Sequence, residues 1–373
     1  MKIAIIKESR DDEKRVAASP ETIKKISALG ATMAVEAGAG LGASFRDEDY
    51  AAEGAKIVAD RKALLGDADI ILSVQGVDAG EAANAKKGAI HISVLNAFAE
   101  RDRVDAFAKA GLTTFAMEFV PRITRAQSMD VLSSQANLAG YKAVIDGAFH
   151  YGRGFPMMMT AAGTIAPAKV MVMGAGVAGL QAIATAKRLG AIVSATDVRP
   201  AVKEQVESLG GKFVAVEDEE FKAAETSGGY AKEMSDEYKT KQAALIAETI
   251  AKMDMVITTA QIPGRPAPKL VTADMVKSMK QGSVIVDLAV ESGGNCDLSK
   301  PGEIVDADGV SIVGYRNVPS RLASDASALF ARNLMHFLTP HIKEGALDID
   351  FEDQIIQESL VTRDGAVVHE RLQ

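Results

Sequence analysis

The segment that most constrains this chain is Gly174-Ala175-Gly176-Val177-Ala178-Gly179, a GxGxxG spacing that directly follows the apolar run Val170-Met171-Val172-Met173 and opens a helical stretch ending at Gly190. Between a strand and a helix that spacing has a mechanical meaning. The first glycine permits a tight turn and the second lets a pyrophosphate approach the backbone. The third lets helix and strand pack closely, and the helix N-terminus attracts the phosphate charge. The next strand-like run ends at Asp197, where a carboxylate can accept hydrogen bonds from an adenosine ribose and would repel a 2′-phosphate. NAD is therefore favoured over NADP, with Arg199 two residues later as the opposing sign. The plain alternative, glycines in an ordinary strand-to-helix turn, is weakened by the matching context.

Around this motif, strand and helix patterns alternate from the first residue, which favours parallel sheets wrapped by helices. Residues 2–6 form a short β-branched run, and Ser19-Pro20-Glu21 then supplies an N-cap, a proline at the first helical position and an acid in the first turn. Gly30 ends that helix. Further strands are expected at 32–36, 70–74, 89–95 and 113–119, and a second series at 169–173, 192–197, 255–259 and 283–288. A long helical stretch at 132–149 separates the two series, followed by a Gly-, Met- and Pro-containing crossover at 152–167. The last helical run, 326–337, has no sheet expected after it and returns to the first domain. The expected fold class is α/β, with two doubly wound Rossmann-like domains, parallel sheets and a cleft between them. Their bounds are 1–131 plus 315–373, and 132–314.

With 373 residues, two cores are affordable. Residues are 47% hydrophobic and 25% charged, ordinary globular usage. A net charge of −8 without a Lys/Arg run argues against a general nucleic-acid binder. The single cysteine, Cys296, excludes a disulfide framework and reads as a packed residue. Residues 1–10 do not form a signal peptide, and the uncharged stretch 170–186 contains three glycines and is too short to span a bilayer. His336 and His341 share no helical face, so no metal site is implied.

A polar loop, Arg122-Ile-Thr-Arg125-Ala-Gln127-Ser128-Met129-Asp130, follows the strand expected at 113–119, where open α/β sheets place their ligand residues. Arg122 can bind a phosphate or a carboxamide oxygen, and Gln127, Asp130 and Ser133 can hydrogen-bond a nicotinamide or its ribose and fix the ring for hydride transfer. Helix entry, with Ser128 as N-cap, is an equal alternative from composition.

Residues 117–141, which contain this loop, closely resemble the nicotinamide-side loop of the NAD(H)-binding component of proton-translocating transhydrogenase. Arg15-Val-Ala-Ala-Ser-Pro20, the glycine motif with its preceding strand, Gly229-Tyr-Ala-Lys-Glu-Met234, Ile262-Pro-Gly-Arg-Pro-Ala-Pro-Lys269 and Gly282-Ser-Val-Ile-Val-Asp-Leu-Ala289 resemble that family in the same order, over residues 1 to about 340. The resemblance implies that Arg122, Gln127, Ser128, Met129, Asp130 and Ser133 bind the nicotinamide half. It implies that Gly174, Gly176, Val177, Gly179, Asp197, Val198 and Arg199 bind the pyrophosphate and adenosine half, with further contacts from Gly229, Tyr230, Gln242 and Gln261. Position 261 departs from the aliphatic residue expected there. Residues 228–239 would be a mobile loop closing over the nucleotide. The resemblance also implies NADP(H) on a partner subunit, a membrane-spanning subunit, a homodimer, and a cytoplasmic location at the inner face of the plasma membrane through those partners.

The main competitor is an alanine-dehydrogenase-type enzyme, which shares the layout and a similar start at Arg15. Amine oxidation needs an acid/base group and a carboxylate anchor, and that family uses a lysine and a histidine on neighbouring loops. The matching positions here are Gln75 and Val94, neither of which moves a proton. His91, three residues from Val94, reads as a packed histidine. Hydride transfer between two nicotinamides needs no side-chain acid or base, so the pattern favours a transhydrogenase. A non-catalytic NAD(H) sensor is the third reading.

Overall fold

The computed structural model describes residues 1–222, 234–262 and 264–373. The chain forms two compact units, Met1–Gln135 with Pro319–Gln373, and Ala136–Val318. Six strands open the first unit: β1 (Lys2–Ile5), β2 (Thr32–Glu36), β3 (Lys56–Val58), β4 (Ile70–Leu72), β5 (Ile90–Ser93) and β6 (Thr113–Ala116). They pair in parallel in the order β3-β2-β1-β4-β5-β6, so the order reverses direction between β1 and β4. Helices cover both faces, which is why β4 and β5 are buried at every residue; β4 reads as a continuous apolar run, whereas β5 carries the buried polar residues His91 and Ser93. The first of these helices, Pro20–Ser27, begins as expected: the Ser19 hydroxyl accepts the Thr22 N–H, and Thr22 answers from its own side chain to the Ser19 backbone.

The first strands of the second unit form an antiparallel hairpin, β7 (Met158–Thr160) and β8 (Gly163–Ile165), inside the segment read as a crossover. Its main sheet contains β9 (Lys169–Met173), β10 (Ile192–Thr196), β11 (Lys212–Phe213), β12 (Met255–Thr258), β13 (Val284–Asp287), β14 (Ile304–Ala307) and β15 (Val310–Val313). The order is β11-β10-β9-β12-β13-β15-β14, again reversing beside its first strand. Met173 pairs with Thr196 on one side and Thr258 on the other, so three strands end level around the glycine loop.

After the helix Ala323–Leu338 the chain does return to a sheet, contrary to the expectation. A ribbon, β16 (Ile342–Lys343) and β17 (Ala346–Leu347), precedes β18 (Leu360–Arg363) and β19 (Ala366–Val367). β18 pairs antiparallel with β6 and covers that edge of the first sheet. The turn joining β18 to β19 is Asp364-Gly365, with φ of 52° and 83°, a dipeptide suited to a two-residue hairpin. These strands are short, which hides them from a search for apolar periodicity. The strand expected at 89–95 stops at Ser93, and that expected at 113–119 stops at Ala116 and gives way to a 3-10 turn, Met117–Phe119.

Candidate functional site

In the second unit, Gly174 turns the chain with φ +100°, a conformation L side chains rarely adopt. Gly176 is the N-cap of the helix Val177–Arg188 and no side chain caps it, so its first N–H groups have no side-chain acceptor. A Cβ built on Gly176 would meet nothing within 4 Å, so the backbone there faces open space. A Cβ on Gly179 would lie 1.8 Å from the Gly174 carbonyl oxygen. The three glycines thus meet the three demands read from their spacing, and the loop fits a pyrophosphate. Val177 and Val198 are exposed beside it.

Asp197 follows β10, and its carboxylate is fully engaged. Oδ1 accepts the Arg199 backbone N–H and Nε at 2.9 Å each; Oδ2 accepts Arg199 Nη2 at 2.9 Å and the Ala175 N–H at 2.7 Å. Burial opposes its ionisation, but these donors outweigh burial and hold the carboxyl below its ordinary value. Gln242 is also committed within the unit: its carbonyl accepts the Val216 N–H at 2.8 Å and its amide donates to Thr196 Oγ1 at 3.2 Å. Gln261 is exposed and donates to the Leu288 carbonyl at 3.1 Å. Gly229 and Tyr230 lie outside the described residues, as do residues 228–233 of the loop expected at 228–239. Its last residues, 236–239, belong to the helix Asp236–Ile250, whose N-cap Ser235 accepts the Tyr238 N–H.

Residues missed at first sight brace this edge. Thr259 donates from Oγ1 to the Gly174 carbonyl at 3.0 Å. Buried Asn295 donates to the carbonyls of Ala260 and Pro268 and accepts the Ala260 N–H, while Asp287, also buried, accepts the N–H groups of Ala289, Asn295 and Cys296 and the Thr258 hydroxyl. Strand order was the available signal: the loop after the strand beside the glycine loop must flank it.

In the first unit, the polar loop forms a 3-10 turn, Thr124–Met129, ahead of the helix Val131–His150. The chain crosses from the first unit to the second within that helix. Arg122, Gln127 and Ser128 are exposed; Met129 and Asp130 are half-buried. Asp130, not Ser128, serves the helix start, because its Oδ1 accepts the Ser133 N–H at 2.8 Å and its Oδ2 the Ser133 hydroxyl at 2.6 Å. Buried-side anchors come from the helix Ala323–Leu338: Asn333 Nδ2 donates to the Ser128 carbonyl at 2.8 Å, and Asn333 Oδ1 accepts the Ser134 hydroxyl at 2.8 Å. Arg125 pairs with Asp353. Gln127 is thereby left exposed on a turn pinned from behind.

At the strand ends of the same unit, Glu8 accepts the N–H groups of Val74 at 2.7 Å and Gln75 at 3.1 Å. Burial pushes the Glu8 carboxyl up to about 7, with the neighbouring Glu13 adding to the shift. Gln75 donates through its amide to Glu13 Oε2 at 2.9 Å, and Glu13 is bound to buried Arg15. Glu36 at the end of β2 accepts the Lys7 N–H at 2.7 Å, as Asp197 accepts that of Ala175. The first unit thus repeats the strand order of the second, yet Glu8 and Glu36 take up backbone N–H groups at that edge. His91 is wholly buried, with Nε2 2.8 Å from Ser73 Oγ, and burial lowers its pKa to about 3, so it is a neutral packed ring.

The family described as Alanine dehydrogenase/PNT matches in both halves, its N-terminal domain over residues 4–139 and its C-terminal domain over residues 143–370. The first portion of NAD(P) transhydrogenase subunit alpha from Rhodospirillum rubrum is 58% identical, covering 100% of this chain and 99% of the relative. Its counterpart from Rickettsia prowazekii is 50% identical over 99% of this chain and 96% of its own. An alanine dehydrogenase of Halomonas elongata is more distant, 30% identical over 99% of this chain and 95% of its own. Among solved structures, a transhydrogenase from Sinorhizobium meliloti superposes with a TM-score of 0.91 at 54% identity, covering 99% of this chain and 100% of that one. An L-alanine dehydrogenase gives 0.82 at 26% identity, covering 100% and 98%. The chain belongs to the alanine dehydrogenase/PNT family, an NAD-binding oxidoreductase family, within its transhydrogenase alpha-subunit branch.

Proposed function

We propose that this chain holds NAD(H) and takes part in direct hydride transfer with NADP(H) bound on a partner subunit, coupled by a membrane-spanning subunit to proton translocation. The observation that carries the reading is the state of Gln75 and Val94, the positions where an amine-oxidising relative would place a lysine and a histidine. Gln75 is tied through its amide to Glu13, Val94 is an apolar packing residue, and neutral His91 is sealed in the core. No group at these positions moves a proton, which suits a reaction that needs none.

When bound, the nicotinamide supplies or accepts the hydride. The chain's residues position it. Gly174, Gly176, Val177 and Gly179 receive the pyrophosphate, and Asp197, Val198 and Arg199 receive the adenosine half. Gly229, Tyr230, Gln242 and Gln261 are carried over as further contacts by family likeness. Gln242 and Gln261 then act from places already braced by Thr196, Val216 and the Leu288 carbonyl. Arg122, Gln127, Asp130 and Ser133 orient the ring and its ribose, with Ser128 and Met129 beside them. The Asp130–Ser133 pair holds the helix start, so Gln127 and Arg122 are the freer of these groups to contact the ligand.

The alpha-subunit relatives imply further subunits, and no helix among the described residues is long and apolar enough to cross a membrane. Attachment to the inner face of the plasma membrane would then run through those partners. The hairpin of β7 and β8 supports a homodimer: Met157, Met158, Met159 and Ile165 are exposed on or beside it, and Phe149 is 83% exposed at the end of the preceding helix.

The test is to mix the chain with the purified NADP(H)-binding partner and follow reduction of an NAD analogue by NADPH. A rate above either protein alone is expected, and no such rate would sink the proposal. Oxidation of NADH with pyruvate and ammonia by the isolated chain would instead establish a dehydrogenase.

A further inference from the structure

Asp197 and Arg199 form a closed pair that bears on nucleotide choice. Both carboxylate oxygens accept two donors each, and a carboxylate offers about four acceptor sites. Two of the four donors are backbone N–H groups fixed by the loops themselves. The other two are Arg199 Nε and Nη2, gripping Oδ1 and Oδ2 side by side in the bidentate manner. The carboxylate end is almost closed to solvent, with 6% of the side chain exposed, whereas the arginine is 35% exposed. Of the two partners, the arginine is the one with room to leave.

We infer that Arg199 is a captive specificity residue: it occupies the place of the ribose diol on Asp197, and Asp197 in turn keeps this guanidinium from serving a 2′-phosphate. The inference rests on the NAD(H) reading above. A ribose diol brings two O–H donors and can replace Nε and Nη2 one for one, so the exchange leaves the carboxylate satisfied. A 2′-phosphate removes one of those donors and brings only acceptors and negative charge. It could gain Arg199 only by breaking the pair and leaving Asp197 beside it with backbone donors but no cation, two like charges at close range, which is unfavourable. The discrimination is therefore double: repulsion by Asp197, and denial of the cation that would otherwise offset it.

The mechanism makes the two residues non-additive in a way that plain repulsion does not. Asp197→Asn keeps the shape and one acceptor for the Ala175 N–H, but releases the charge that holds Arg199. NADPH affinity of D197N, read by quenching or enhancement of nucleotide fluorescence, should rise at least about tenfold over the natural chain, while NADH affinity falls. In D197N/R199A the NADPH gain should disappear. Arg199→Ala alone should leave NADPH binding within about twofold, because Asp197 still repels the phosphate. Should D197N fail to fold by circular dichroism, Asp197→Ser with and without Arg199→Ala runs the same cycle. Equal NADPH affinity in the single and double variants, with NADH still bound by the natural chain, would overturn the captive role and leave the NAD(H) reading standing. Failure of the natural chain to bind NADH would overturn both.

Discussion

Gly140→Ala sets two local effects of opposite sign against each other. Gly140 lies within the helix Val131–His150, where alanine is favoured over glycine by about 0.5–1 kcal/mol on backbone entropy alone. Its packing says otherwise. A Cβ at 140 would lie 2.0 Å from the carbonyl oxygen of Ala178 and 2.8 and 2.9 Å from that residue's C and Cα. Ala178 is in the first turn of the helix Val177–Arg188, the turn whose N–H groups face the expected pyrophosphate. Ordinary van der Waals contact begins near 3.4 Å, so the backbones must separate by about 1.4 Å. The obstacle is backbone on both sides and cannot turn aside. Overpacking of this kind costs about 1–3 kcal/mol, and an approach this close to immovable backbone belongs at the upper end, so after the helix gain a net loss of about 2 kcal/mol is expected. A displaced first turn should also weaken NADH binding by about tenfold. Urea denaturation and NADH titration of the natural and G140A chains read both effects. Gly147→Ala on the same helix is the control, since its Cβ would meet the Met255 thioether at 2.7 and 2.8 Å and Val286 at 3.1 Å, side chains that can give. G140A as stable as the natural chain, or G147A worse than G140A, would refute the packing argument.

Other perturbations report on other parts of the molecule. Asp287→Asn places an amide against N–H donors at a buried site that now accepts four, and should cost about 3 kcal/mol in urea unfolding; a loss below about 1 kcal/mol would show that the loop from Leu288 to Cys296 does not depend on it. Glu8 has its carboxyl raised from 4.5 to about 7, so its contribution favours the fold below pH 4.5 and is lost as pH rises through 7. Glu8→Gln should therefore flatten the pH dependence of stability between pH 5 and 8, by no more than about 3 kcal/mol, and identical profiles for the two chains would remove Glu8 as the source. Gln127→Asn should slow hydride transfer in the mixed system with little change in NADH affinity, because the exposed amide is shortened while the turn anchored by Asn333 is untouched; unchanged rates would take Gln127 out of the site.

Some of this protein was determined by local rules and is legible in the sequence alone. The glycine loop, the acid ending the next strand and the Ser19 cap each depend on residues a few positions apart, or on a single strand-turn-helix unit, so spacing is enough to read them. Most central strands of both sheets are visible for a related reason, since a strand covered on both faces is largely apolar, but β15 (Val310–Val313) was not among those expected and β5 carries buried His91 and Ser93. What the tertiary structure decided involves partners far apart in the chain or elements too short to show a period. β18 closes the edge of β6 from more than two hundred residues away, and only strand pairing brings Thr362 to Thr114. Asn333 pins the turn at Ser128 across a similar separation. Asp130 rather than Ser128 starts the helix because its carboxylate reaches Ser133, a choice between adjacent polar residues that composition leaves even. Asp197 shows the division within one residue. Its place at the end of a strand was readable from spacing, but its commitment to Arg199 and Ala175 depends on where the folded loops aim their donors.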